Sequence, residues 1–112
     1  MQLEIQKYLF DIITSIDSIN EFLNDKRDFT IYKENKLLRR GIERELEIIG
    51  EAAKNVLIID AEIPIDYARK IVDLRNWVIH GYDKVDDVII WSIVTKQLPI
   101  LKQQVEKLLN KE

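Results

Sequence analysis

Leu38-Arg-Arg-Gly-Ile42-Glu-Arg-Glu-Leu46-Glu-Ile-Ile49-Gly-Glu-Ala-Ala53-Lys-Asn-Val56 is the stretch whose reading decides the fold. Its apolar positions Leu38, Ile42, Leu46, Ile49, Ala53 and Val56 recur every three or four residues, the period of a helix that buries one stripe. The pattern extends the helix from Thr30 to Ile59. Lys36, Arg40 and Arg44 step by four on roughly the opposite side, with Lys33 and Glu47 prolonging the line. This row is either a solvated helix face or a stripe that contacts phosphates.

Working outward, the same period recurs on both sides. From residue 3 to residue 23 it places Leu9, Ile12, Ile13, Ile16, Ile19 and Phe22 inward, with Asp11, Ser15, Asp17 and Ser18 on the polar face. Asn24-Asp25-Lys26-Arg27-Asp28 has no period and reads as a loop. Beyond Ile59, Ala61-Glu-Ile-Pro64 breaks the pattern, because proline removes a helix donor and restricts the residue before it. A third helix is expected from Ile65 to His80 with Tyr67, Ile71, Leu74 and Val78 inward, and Gly81 follows where a C-cap would fall. The fourth begins near Val85-Asp-Asp87, whose carboxylates suit a helix N-terminus. It runs on through Val94, Leu98, Leu101, Val105 and Leu108, with Pro99 expected to bend it or delay its regular part. Short connections between amphipathic helices favour antiparallel neighbours. The expectation is an all-α, up-down antiparallel four-helix bundle, with room for an extra short helix, formed by a single domain over 1–112.

The bulk composition agrees. The 112 residues hold 46% hydrophobic and 33% charged side chains, with only three Gly and two Pro, too few turn formers for a sheet protein of this size. No cysteine is present, which excludes disulfides, thiolate metal sites and a Cys nucleophile. The first residues carry charge where a signal peptide needs an apolar core, and no apolar run approaches the roughly 20 residues of a membrane span. A soluble, cytoplasmic protein with no membrane association is expected. A net charge of -3 argues against generic nucleic-acid binding, which draws its affinity from phosphate neutralisation.

Arg75-Asn-Trp-Val-Ile-His80-Gly-Tyr82 concentrates the reactive side chains. His80 is the only histidine. It ends a helix, where the partial negative charge of the C-terminus favours the imidazolium. Arg75 stands among Ile71, Leu74, Val78 and Ile79, a setting that is costly for a guanidinium unless it meets a partner. Five residues amount to about 500° of helix, so the two side chains point about 140° apart. They meet only if His80 leaves helical geometry at the cap, or if a second copy completes the site as a homodimer. Tyr82 is read as a half-buried aromatic, a base-stacking ring or a modification site, and Asn76 as a surface amide or a hydrogen-bond donor orienting the site. Trp77 and Trp91 are read as core or interface residues.

The chemistry open to Arg, His and Tyr is narrow. There is no His pair, no Cys and no carboxylate cluster at metal-binding spacing, so no metal and no cofactor is expected. Gly-rich phosphate loops and nucleophile elbows are absent too. What remains suits RNA cleavage by the substrate's own 2'-hydroxyl. There the protein need only move a proton, a task for His80, and stabilise phosphate charge, a task for Arg75.

Arg75-x4-His80-x-Tyr82 resembles the signature of the HepT-like branch of the HEPN ribonuclease superfamily. Leu46-Glu-Ile-Ile-Gly-Glu-Ala-Ala-Lys54, Val85-Asp-Asp-Val-Ile-Ile-Trp91 and Leu98-Pro-Ile-Leu-Lys102 resemble neighbouring family segments, so the likeness runs from Leu3 to Leu108. It implies a helical homodimer with the two motifs lining a shared cleft, and metal-independent cleavage with Arg75 and His80 as catalytic residues. It implies that Asn76 is the polar residue following the arginine. It also implies a toxin encoded beside a minimal nucleotidyltransferase antitoxin, which silences it by adding AMP to Tyr82. The competing reading is a non-catalytic, nucleotide-binding or interaction module that docks onto such a partner.

Overall fold

The computed structural model describes residues 1–65, 68–73 and 87–110. All regular structure among them is helical. Helix α1 covers Leu3–Phe22, α2 covers Phe29–Glu34 and α3 covers Lys36–Ile59. Residues 68–73 are helical. The C-terminal helical run consists of Asp87–Ser92, a π-helical stretch Ile93–Gln97, and Leu98–Asn110.

The core forms where the period places it. Ile42, Leu46, Ile49, Ala53 and Val56 of α3 are buried, and so are Ile5, Leu9, Ile12, Ile16 and Ile19 of α1. Among the described residues these two helices share the most extensive packing. They run antiparallel: Phe22, at the end of α1, lies against Gly41 near the start of α3, while Tyr8 lines a groove with Asn55. Ile71, Val94, Leu98, Leu101 and Val105 close the other side of the same cluster. The product is the expected all-α bundle. A fully buried Leu or Ile contributes about 1.5–3 kcal/mol, so this stripe-on-stripe contact dominates stability.

Three local expectations are corrected. The helix expected from Thr30 to Ile59 is two helices. Asn35 is extended (φ -106°, ψ 100°), and its side-chain oxygen accepts from the Leu38 N–H at 3.0 Å, capping α3. Asn competes for backbone donors outside a helix better than inside one, hence its preference for this position. Arg39 reinforces the break by donating to the Lys33 carbonyl at the end of α2. At the other end of α2, Asp28 accepts from the N–H groups of Thr30 and Ile31.

Phe22 is 45% exposed, and Leu23 takes the buried place. Leu23 is four residues from Ile19 and seven from Ile16, on the axis of the stripe, whereas Phe22 falls on its flank. There its ring crosses α3 at Gly41, where a Cβ would come within 3.4 Å. Ser15, assigned to the polar face, is 4% exposed. It stands three residues after Ile12 and four before Ile19, inside the apolar stripe, and its small side chain allows close helix contact.

At Pro99 the regular part of the last helix is delayed, as expected: a π-helical stretch, Ile93–Gln97, precedes the regular helix Leu98–Asn110. The Leu98 N–H donates to the Ile93 carbonyl five residues back, the wide π spacing. In a regular helix the Pro99 ring would press on the Thr95 carbonyl, and the widened turn just before it relieves that contact. The Thr95 hydroxyl donates to the Trp91 carbonyl at 2.8 Å.

Candidate functional site

Arg75, Asn76, His80 and Tyr82 lie outside the described residues, as do Trp77 and the inward positions Tyr67, Leu74 and Val78. The structure describes the chain on either side of the motif. Ala68 and Ile71 are each 1% exposed, so the helical residues 68–73 are seated in the core. On the far side, Asp87 stands in the first turn of the C-terminal run and Ile90 is fully buried. Both flanks of the motif therefore join the main core.

The basic row falls on the exposed side of α3, as its spacing requires. Lys36, Arg40 and Arg44 are all exposed. Arg40 donates to Glu43 at 3.2 Å and Arg44 to Glu47 at 3.3 Å. Each of these arginines thus carries its own carboxylate one turn along, and an incoming phosphate would have to compete with it. The spacing of three between Arg40 and Glu43, and between Arg44 and Glu47, is the signal in the sequence for this pairing. Beside the row, a groove of about 310 Å³ between α1 and α3 is lined by Lys7, Asp11, Arg44, Glu47 and Glu51 among others. Lys7 donates to Asp11 at 3.0 Å, and that hydrogen bond holds the ammonium above its ordinary pKa.

A second cluster has no counterpart in the periodicity. Tyr32 of α2 stacks on Trp91, with ring centroids 5.2 Å apart, and Phe29 closes on both rings at 6.3 and 6.0 Å. Trp91 is half-buried, while Tyr32 is fully buried. The Tyr32 hydroxyl has no hydrogen-bond partner among the described residues. Burial, with the Asp87 and Glu43 carboxylates beside it, pushes its pKa above the ordinary 10.0, against a smaller opposing effect of Arg39. A six-residue helix is too short to show a period, and a lone Tyr in it gave no signal.

Among the described residues no group of three His, Asp or Glu side chains is arranged to hold a metal ion. No helix among them is long and apolar enough to cross a membrane.

An all-helical bundle that carries Arg-x4-His-x-Tyr between two core-anchored helical segments is the class defined so far. The description of the ribonuclease HepT-like family matches residues 12–108, and the chain belongs to that family. It is 35% identical over 104 residues to a candidate RNase of Methanocaldococcus jannaschii, across 92% of this chain and 94% of that protein. A second candidate RNase of the same organism is 30% identical over 108 residues, across 96% and 92%. A candidate ribonuclease HepT of Thermococcus cleftensis is 36% identical over 107 residues, across 90% and 92%. No solved structure matches the chain.

Proposed function

We propose that this chain is a metal-independent endoribonuclease, the toxin of a toxin–antitoxin pair, working as a homodimer whose two motifs form one cleft. The observation that carries this reading is the family match over residues 12–108, which contains Arg75-x4-His80-x-Tyr82 intact. In the proposed reaction the ribose 2'-oxygen attacks the adjacent phosphorus while His80 takes its proton. The bond from phosphorus to the 5'-oxygen breaks, the leaving oxygen takes up a proton, and a 2',3'-cyclic phosphate remains. Arg75 neutralises the charge that builds on the phosphoryl oxygens, and Asn76 orients the pair. Tyr82 is the switch. A nucleotidyltransferase partner would join its hydroxyl to the α-phosphorus of ATP with release of pyrophosphate, placing AMP in the cleft.

His80→Ala and Arg75→Ala should each reduce RNA cleavage by at least about 100-fold, with the circular dichroism of the helical fold unchanged. Cleavage by His80→Ala at the wild-type rate would sink the catalytic reading. The pairing of Arg40 with Glu43 and of Arg44 with Glu47 favours a second reading, a module that docks onto a nucleotidyltransferase without cutting RNA. Cleavage assays at low salt separate the two, since weak phosphate binding is strongest there.

A further inference from the structure

The break at Asn35 leaves a notch where the end of α1 meets α2 and the start of α3. Two cavities of about 390 and 210 Å³ occupy it and share Phe22, Asn35 and Leu38 as walls, so they form one continuous groove. Its apolar lining reaches solvent: Leu37 is 84% exposed, Ile31 52% and Phe22 45%. Gly41 gives the floor no side chain, although a glycine inside a helix costs about 0.5–1 kcal/mol against alanine. The Phe22 ring stands 3.4 Å from where a Cβ of Gly41 would lie, so the missing side chain keeps both wall and floor in place. Single exposed apolar side chains are ordinary, whereas several converging on one groove mark a place for a partner. The groove beside Lys7 and Arg44 differs, because those two cations are already held by Asp11 and Glu47.

Charge indicates what covers the notch. Residues 21–40 hold six Lys and Arg against four Asp and Glu, in a chain whose net charge is -3. Asp28 is engaged in the α2 cap. Lys26 lines the groove, and Lys33 and Lys36 stand on either side of Asn35. All three lysines are exposed and form no ion pair among the described residues. Two copies docked groove to groove about a two-fold axis would set these lysines against one another, which disfavours a second copy at this face. A lipid surface asks for an apolar face that projects, and this one is concave. We propose that the groove docks an amphipathic helix of a partner protein. The apolar residues of that helix, spaced by three and four, fill the space over Gly41, and its acidic flanks meet Lys26, Lys33 and Lys36. The docking surface does not depend on whether the chain cleaves RNA.

The probe is a synthetic helical peptide of about 18 residues, with leucine on one face and glutamate on both flanks. Its control carries lysine in place of glutamate. Binding to the full-length chain is read by fluorescence anisotropy and mapped by backbone amide NMR shifts. The acidic peptide should bind at least about tenfold more tightly than the basic one at low salt, and move the amides of Leu37, Leu38 and Gly41. Leu37→Glu should weaken that binding at least about tenfold with the melting temperature unchanged, because this side chain faces solvent and not the core. Lys33→Glu combined with Lys36→Glu should remove the preference for the acidic peptide. Failure of the acidic peptide to bind overturns the proposal, as does equal binding of the two peptides. Amide shifts centred elsewhere, or undiminished binding by Leu37→Glu, overturn it too. Sedimentation equilibrium in which Leu37→Glu turns a dimer into a monomer would assign the face to a second copy. Phosphatidylserine vesicles that retain wild type but release Leu37→Glu would assign it to a membrane surface. Either result overturns the helix as occupant.

Discussion

The α1–α3 interface and the α2–Trp91 junction solve the same packing problem with different materials. Between α1 and α3, aliphatic stripes interlock with Ser15 as the one buried polar residue. At the junction, three aromatic rings meet around a hydroxyl that lacks a partner among the described residues, with Asp87, Glu43 and Arg39 close by. The first region is built for stability alone. The second carries a buried hydroxyl without a partner among the described residues, which costs it some stability.

The contrast can be broken most forcefully in the interlocked region. Leu46 is fully buried at the centre of the α3 stripe. Leu46→Ala should cost about 2–5 kcal/mol through lost transfer energy and the cavity left behind, and lower the melting temperature by roughly 4 °C or more per kcal/mol. Thermal denaturation followed by circular dichroism checks this. A loss below about 1 kcal/mol would mean that the interface collapses around the gap and is not the rigid half of the molecule.

Alkaline pH probes the junction instead. The folded chain holds the Tyr32 proton more tightly than the unfolded chain, whose phenol ionises near 10.0. Above that pH the unfolded state has released a proton that the folded state keeps, so stability falls as pH rises. The slope contributed by this one group approaches about 1.4 kcal/mol per pH unit. Denaturant unfolding of wild type and Tyr32→Phe at pH 8 to 11 should show the two curves diverging above pH 10, with the phenylalanine variant falling less. Parallel curves would place the Tyr32 hydroxyl in water and erase the difference between the two regions.

The two regions also differ in how much of each was legible beforehand. The α3 stripe was legible because burial repeats with the helix, and Ile42, Leu46, Ile49, Ala53 and Val56 are all buried. Ser15 was misplaced because polarity was weighed and size was not. Arg40 and Arg44 were legible as a row, but Glu47 was read as prolonging it rather than as the partner of Arg44, and the pairing of Arg40 with Glu43 was not read. Arg75, His80 and Tyr82 stood out through residue chemistry and spacing, which require no periodicity. Tyr32 lacks both kinds of signal, since its burial comes from packing that includes Trp91, far away in sequence.

Asn35 is the joint between the two regions, and replacing it gives the smallest expected effect. The helical period offers a continuous helix across this residue, and alanine, the strongest helix former, would remove both the cap and the local competition. If the break depended on Asn35 alone, Asn35→Ala would fuse α2 with α3, raise the helical signal and pull Tyr32 off Trp91. The Arg39 contact with the Lys33 carbonyl and the stacking of Phe29 and Tyr32 on Trp91 act against that outcome. Asn35→Ala should therefore cost about 1 kcal/mol for the lost cap, with the indole N–H resonance of Trp91 unmoved. A gain in helicity together with a shifted Trp91 resonance would show that the side-chain cap holds the break, and that the aromatic junction follows from it.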